Sequence, residues 1–121
     1  MQLTQFIDEL DFNRYEKEVI VFLVSVNNAG ADVIYKNTRI PKGRIYSVLN
    51  SLIEKGIVKL IPTSPKKYLI ENVKESLENY LKSKKNSLNK QIQIIEKIEL
   101  QPKLFSLEKN APSVYTFTGR E

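Results

Sequence analysis

The sequence predicts a mainly α fold with a small β-hairpin: a winged helix-turn-helix followed by a long, coiled-coil-like C-terminal helix. Three observations predict it. Apolar residues recur at helical spacing through residues 14–54, with Pro41 and Gly56 placed where a helix starts and stops. Two short runs rich in β-branched and aromatic residues, Ile57–Ile61 and Lys67–Ile70, flank the turn-forming segment Pro62–Lys66. From Asn72 to about Leu100 the chain is rich in lysine and asparagine, with Leu81, Leu88 and Ile95 seven apart. A chain of 121 residues has room for one compact core and an extension.

Taken in order, Thr4 is a candidate cap for a short first helix with Phe6, Ile7 and Leu10 on one face. Asn13 caps a second helix, from about Arg14 to Asn27, whose Tyr15, Val19, Phe22, Leu23 and Val26 repeat at amphipathic spacing. The run VIVFLV also suits a buried strand, but the length of the pattern and its capped start favour helix. Asn28–Gly30 ends this helix, with Gly30 suited to a left-handed terminal position. A brief third helix follows, from about Ala31 to Asn37, and Thr38–Ile40 makes the turn. Pro41 sits in the first turn of the fourth helix, expected over residues 41–55. Its Ile45, Val48, Leu49, Leu52 and Ile53 form a full core-facing stripe, and Gly56 closes it. The hairpin comes next, and Asn72 is a plausible cap for the long last helix.

These elements divide the chain into a winged helix-turn-helix domain over 1–71, a linker and dimerisation helix over 72–100, and a tail over 101–121. In the tail, Val114–Thr118 alternates like a strand. The dimer contacts assigned to the long helix are Leu77, Leu81, Leu88, Ile92, Ile95 and Ile98. Lys84 and Gln91 interrupt that seam, which suits a modest coiled-coil contact; the competing reading is a helix folded back on its own domain.

Composition narrows the chemistry. With no Cys and no His, the chain has no thiolate or imidazole ligands for a metal, no disulfides and no His-based triad. It lacks paired acids in a recognisable constellation and a phosphate-cradling glycine loop, so neither an enzyme nor a cofactor is expected. The longest apolar run, Val19–Val24, is too short to cross a bilayer, and the N-terminus MQLTQFIDEL lacks the basic start of a secretory signal. The expectation is a soluble cytoplasmic protein that works by binding.

Charge says what it binds. The net charge is +5, but residues 36–70 hold eight bases (Lys36, Arg39, Lys42, Arg44, Lys55, Lys59, Lys66, Lys67) against one acid, Glu54. Residues 1–35 hold six acids against two bases. A basic block of this kind is either a solvated face or the footprint of a polyanion-binding surface, and its position on a helix-turn-helix favours the second. With the apolar stripe committed to the core, the outward residues of the fourth helix are Lys42, Gly43, Arg44, Tyr46, Ser47 and Asn50. Arg44 suits guanine, Asn50 adenine, Ser47 either donor or acceptor edges, and Lys42 phosphate. Gly43 would let the backbone approach DNA closely. Lys66 and Lys67 stand at the hairpin tip. Tyr46 is equally suited to the core boundary, and Tyr68 reads as a strand residue packed on the helices.

Three passages, YEKEVIVFLVSV, IPKGRIYSVLNSLIEKGIV and PKKYLIENVKESLENYL, carry a resemblance. The stretch from Leu10 to about Glu78 resembles the winged-helix domain of the TrmB family of archaeal transcriptional regulators. In the second passage Pro41, Gly43, Arg44, Tyr46, Leu49, Leu52, Glu54, Lys55 and Gly56 fall where the family pattern has them. The resemblance implies a homodimer on a two-fold-related operator in double-stranded DNA, with contacts at Lys42, Arg44, Ser47, Asn50 and the wing. Full-length members continue into a C-terminal effector domain, and Thr116–Glu121 looks like its opening strand. Effector binding is therefore not expected within these 121 residues. The competing function is a protein-interaction module using the long helix; RNA binding lacks an aromatic stacking platform.

Overall fold

The structure, a computed structural model, describes residues 2–99, where the elements follow in the expected order. These are α1 (Leu3–Asp8), α2 (Arg14–Val24), α3 (Ala31–Asn37), a 3-10 turn (Lys42–Arg44), α4 (Ile45–Glu54), β1 (Lys59–Ile61), β2 (Lys67–Leu69) and α5 (Val73–Glu99). The expected terminal strand and partial effector domain lie outside the described residues. The chain divides into two units, Met1–Lys82 and Ser83–Glu121. The first holds α1 to α4, the hairpin and the opening turns of α5. In the second, the described residues continue α5, and residues 83–98 are all exposed.

Capping starts the helices, though not always where the pattern suggests. Asn13 caps α2: its Oδ1 accepts from the Glu16 N–H at 2.9 Å, and Glu16 Oε1 accepts from the Asn13 N–H at 3.1 Å. Asn72 Oδ1 likewise accepts from the Glu75 N–H at the start of α5. For α1 the cap is Gln2, not Thr4; Gln5 Oε1 reaches back to the Gln2 N–H. That start turns Phe6 outward, at 53% exposure, while Ile7 is buried and Leu10 half-buried.

The helix ends carry two further corrections. α2 stops at Val24, three residues early, with Ser25 Oγ donating to the Phe22 carbonyl at 2.6 Å. The chain then extends so that the Ala29 N–H and C=O pair with the Tyr68 C=O and N–H at 3.0 and 2.8 Å. Gly30 is accordingly extended (φ −79°) and caps α3 rather than closing α2. A Cβ on Gly30 would lie 3.5 Å from the Lys66 carbonyl and 3.0 Å from Asp32 Oδ1, a close approach that suits glycine. Gly56 does adopt a left-handed φ of 78° and closes α4 as expected.

The fourth helix begins late. Pro41 (φ −58°, ψ 142°) stands outside the helix, Lys42–Arg44 form one 3-10 turn, and α4 proper starts at Ile45. Gly43 in that first turn adds little helix propensity. Ile45, Val48, Leu49 and Leu52 are buried, and Ile53 is half-buried at the boundary. Burying such side chains contributes roughly 1.5–3 kcal/mol each, enough to fix which face of α4 looks outward. Ile57 and Val58 are buried between α4 and β1 instead of extending the strand, their N–H groups donating to the Leu52 carbonyl.

The core joins Ile7, Val19, Ile20, Leu23, Ile34, Ile40, Leu49, Leu52, Ile57 and Tyr68, drawn from α1 to α4, the connecting turns and β2. Val73, Leu77 and Tyr80 of α5 pack partly against it. Leu77, expected as a dimer contact, is half-buried against its own domain. Leu81, Leu88, Ile92, Ile95 and Ile98 are exposed, from 44% to 60%. Among the described residues no helix is long and apolar enough to cross a membrane, and no acidic cluster could hold a metal ion.

Candidate nucleic-acid interface

The turn Thr38–Ile40 presents the basic face. Ile40 is buried and anchors it, while the Arg39 N–H donates to Glu18 Oε1 at 2.8 Å, pinning the turn to α2. Beyond it, Lys42, Gly43 and Arg44 are exposed on the 3-10 turn, and Tyr46, Ser47 and Asn50 are exposed on α4. The first three expected groove residues therefore precede the α-helix instead of riding on it. Tyr46 is 61% exposed, so of its two readings the outward one holds. Ser47 Oγ donates to the Arg44 carbonyl at 3.0 Å and so also ties the turn to the helix. A Cβ on Gly43 would meet open space, and its φ is not left-handed; the fold itself does not require glycine there.

On the hairpin, Leu60 faces Tyr68 and Ile61 faces Lys67 across an antiparallel ladder. Lys66 and Lys67 are exposed, and Tyr68 is buried at 4% exposure. Burial pushes the Tyr68 phenol up, with Tyr46 adding to the shift, so it stays neutral. Lys59 Nζ donates to Glu71 across the base of the hairpin, which raises the lysine's pKa.

Behind the basic face lies a cluster that sequence reasoning missed. Glu16 is 2% exposed, and its Oε2 accepts from Lys55 Nζ at 2.6 Å and Ser51 Oγ at 2.8 Å. Burial alone would push its carboxyl up; hydrogen bonds from Lys55, Ser51 and the Asn13 N–H, with the Lys55 charge, outweigh this and hold it below the usual carboxylate range. Lys55 Nζ also lies 5.3 Å from the Phe12 ring centre and 5.7 Å from that of Tyr80. One lysine at the end of α4 thus meets α2 and α5. The signal was present: Glu16 stands three, four and seven residues before Val19, Ile20 and Leu23, on the apolar stripe itself.

A helix with a buried stripe and an exposed cationic start, followed by a hairpin that bears exposed lysines, has the element order of a winged helix-turn-helix of the kind used by transcription regulators. Residues 7–74 match the family model described as sugar-specific transcriptional regulator TrmB. The chain belongs to the TrmB family. It is 32% identical over 72 residues to the uncharacterized protein MJ1623 of Methanocaldococcus jannaschii, covering 60% of this chain and 14% of that one. To the HTH-type sugar sensing transcriptional regulator TrmBL1 of Pyrococcus furiosus it is 28% identical over 83 residues, 63% of this chain and 24% of the relative. Among solved structures it is similar to TrmBL2, described as an archaeal chromatin protein with a novel mode of DNA binding. That match has a TM-score of 0.74 at 20% identity, over 93% of this chain and 43% of that one. A MarR family regulator of Silicibacter pomeroyi shares the fold at TM-score 0.51 and 15% identity, over 85% of this chain and 84% of that one. The chain spans between a seventh and a quarter of the length of the two sequence relatives.

Proposed function

We propose that this chain is a sequence-specific, DNA-binding transcriptional regulator that acts as a homodimer. Its 3-10 turn and α4 enter the major groove, and the wing over 62–67 lies on the phosphate backbone. The observation that carries this reading is the two-sidedness of residues 42–52. Ile45, Val48, Leu49 and Leu52 are buried, while Lys42, Arg44, Tyr46, Ser47 and Asn50 are exposed, and Tyr46 borders the same depression as Lys66. Gly43 supports it too, since a glycine stands where a Cβ would meet open space and where a close backbone approach needs none. Arg44 and Asn50 are the base-reading candidates, Lys42, Lys66 and Lys67 the phosphate contacts.

The exposed Leu88, Ile92, Ile95 and Ile98 of α5 supply the dimer contact in this reading. A dimer places two half-sites about one helical turn of DNA apart, or a multiple of that. The same exposed residues favour a second reading, a protein-interaction module that leaves DNA alone. Selection of bound fragments from genomic DNA, followed by gel-shift titration of the recovered duplex, separates the two. The regulator enriches a two-fold-symmetric sequence and prefers it to random duplex; equal affinity for both would sink the sequence-specific reading, and no binding at all would leave the interaction module.

A further inference from the structure

Arg14 and Arg44 come from different elements, 30 residues apart in the chain. In the folded domain both guanidinium groups lie over the ring of Tyr15, with Cζ at 5.2 Å and 5.7 Å from its centre. Arg14 Nη2 also donates to the Tyr15 hydroxyl at 3.4 Å. The surface beside them dips into an open depression of about 360 Å³ bordered by Asn13, Ser47 and Ser51. The polar groups of that border are already engaged: Ser51 Oγ donates to Glu16, Ser47 Oγ to the Arg44 carbonyl, and Asn13 Oδ1 takes the Glu16 N–H. The two guanidiniums are the charged donors left over. Both are exposed, and among the described residues neither forms an ion pair.

Arg14 also borders a second open depression, with Lys36 and Arg39. Glu18 lines it as well, but its Oε1 is held by the Arg39 N–H. The cationic surface therefore continues from Arg44 through Arg14 toward α3, beyond the recognition turn itself. A planar guanidinium matches a phosphate by paired N–H donors, and one already stacked on an aromatic ring loses less freedom when it binds.

We propose that Arg14, gathered with Arg44 at the Tyr15 ring, extends the DNA-binding face beyond the recognition turn and binds the phosphodiester backbone of duplex DNA. Arg14 is the phosphate ligand, and Tyr15 is a positioning residue that presets Arg44 for the groove. This deepens the DNA-binding reading and rests on it.

The test uses the full 121-residue chain, a random-sequence duplex and a duplex recovered by selection, each titrated over a salt series. Arg14→Ala weakens binding to both duplexes alike and lowers the slope of log affinity against log salt by about one. Tyr15→Leu weakens binding to the selected duplex about two- to fivefold and reduces its advantage over random DNA, while Tyr15→Phe, which keeps the ring, restores it. Thermal unfolding of each variant checks the fold; Arg14, being exposed, leaves it unchanged. Inorganic phosphate added at constant ionic strength separates the sources. If phosphate binding depends on Arg14 while duplex binding does not, the patch serves a small phosphate and the proposal is overturned. If the parent binds duplex and Arg14→Ala keeps the parental salt slope, the proposal alone falls; if the parent binds no duplex, it falls together with the regulator reading.

Discussion

Glu16 is a carboxylate at 2% exposure, kept charged by Lys55, Ser51 and the Asn13 N–H. Because its folded pKa lies below the unfolded one, ionisation favours the fold. That contribution is complete above the ordinary carboxylate range and is lost as pH falls through the lowered folded value. Glu16→Gln should cost about 1–3 kcal/mol near neutral pH and flatten the acid limb of stability, as urea unfolding at descending pH would show. A variant with the parental acid limb would mean the carboxylate does not set it. At the groove face, Arg44→Ala should cost about 1–3 kcal/mol and relax preference at one base pair, read by competition among single-base operator variants. Gly43→Val should leave thermal stability near the parental value, because its Cβ enters open space. The same change should weaken duplex binding if the backbone there meets DNA; unchanged affinity would remove glycine from the interface.

Helices with a strong stripe were legible. Ile45, Val48, Leu49 and Leu52 are buried where their spacing put them, and Gly56 closes α4 with a positive φ. Boundaries were harder, and the reason is tertiary. Gly30 looked like a helix stop, yet it starts α3 because Ala29 must pair with Tyr68, 39 residues later. The first turn of the recognition element, Lys42–Arg44, has 3-10 geometry, which periodicity does not reveal. The outward set around Arg44 could be read from the stripe by subtraction. Arg14 and Tyr15 could not, because their partnership with Arg44 exists only once α2 and α4 are packed together. On α5, Leu77 is half-buried on its own core, whereas the other expected dimer contacts, from Leu81 onward, are exposed. Replacing Leu88 and Ile95 with Lys should shift a dimer to monomer in sedimentation while the winged helix melts at its parental temperature. A double variant that remains dimeric would place the contact elsewhere.

For the molecule as a whole, the net charge of +5 is less informative than its concentration in residues 36–70. If this block meets a duplex, log affinity should fall linearly with log salt, by about 0.9 for each phosphate neutralised. Lys66→Ala and Lys67→Ala should each reduce that slope by about one and weaken selected and random duplexes equally, measured by anisotropy. The hairpin that bears these lysines has strands of only three residues, a size at which an isolated ribbon is marginal in water. Its paired N–H and C=O groups at Tyr68 fasten it to Ala29, next to the start of α3, and the Tyr68 ring is sunk in the core. The arm is therefore anchored at its base. If that anchorage holds the tip at a set reach from the recognition turn, like the gap of a caliper, a duplex touched by both would conform in groove width to the protein.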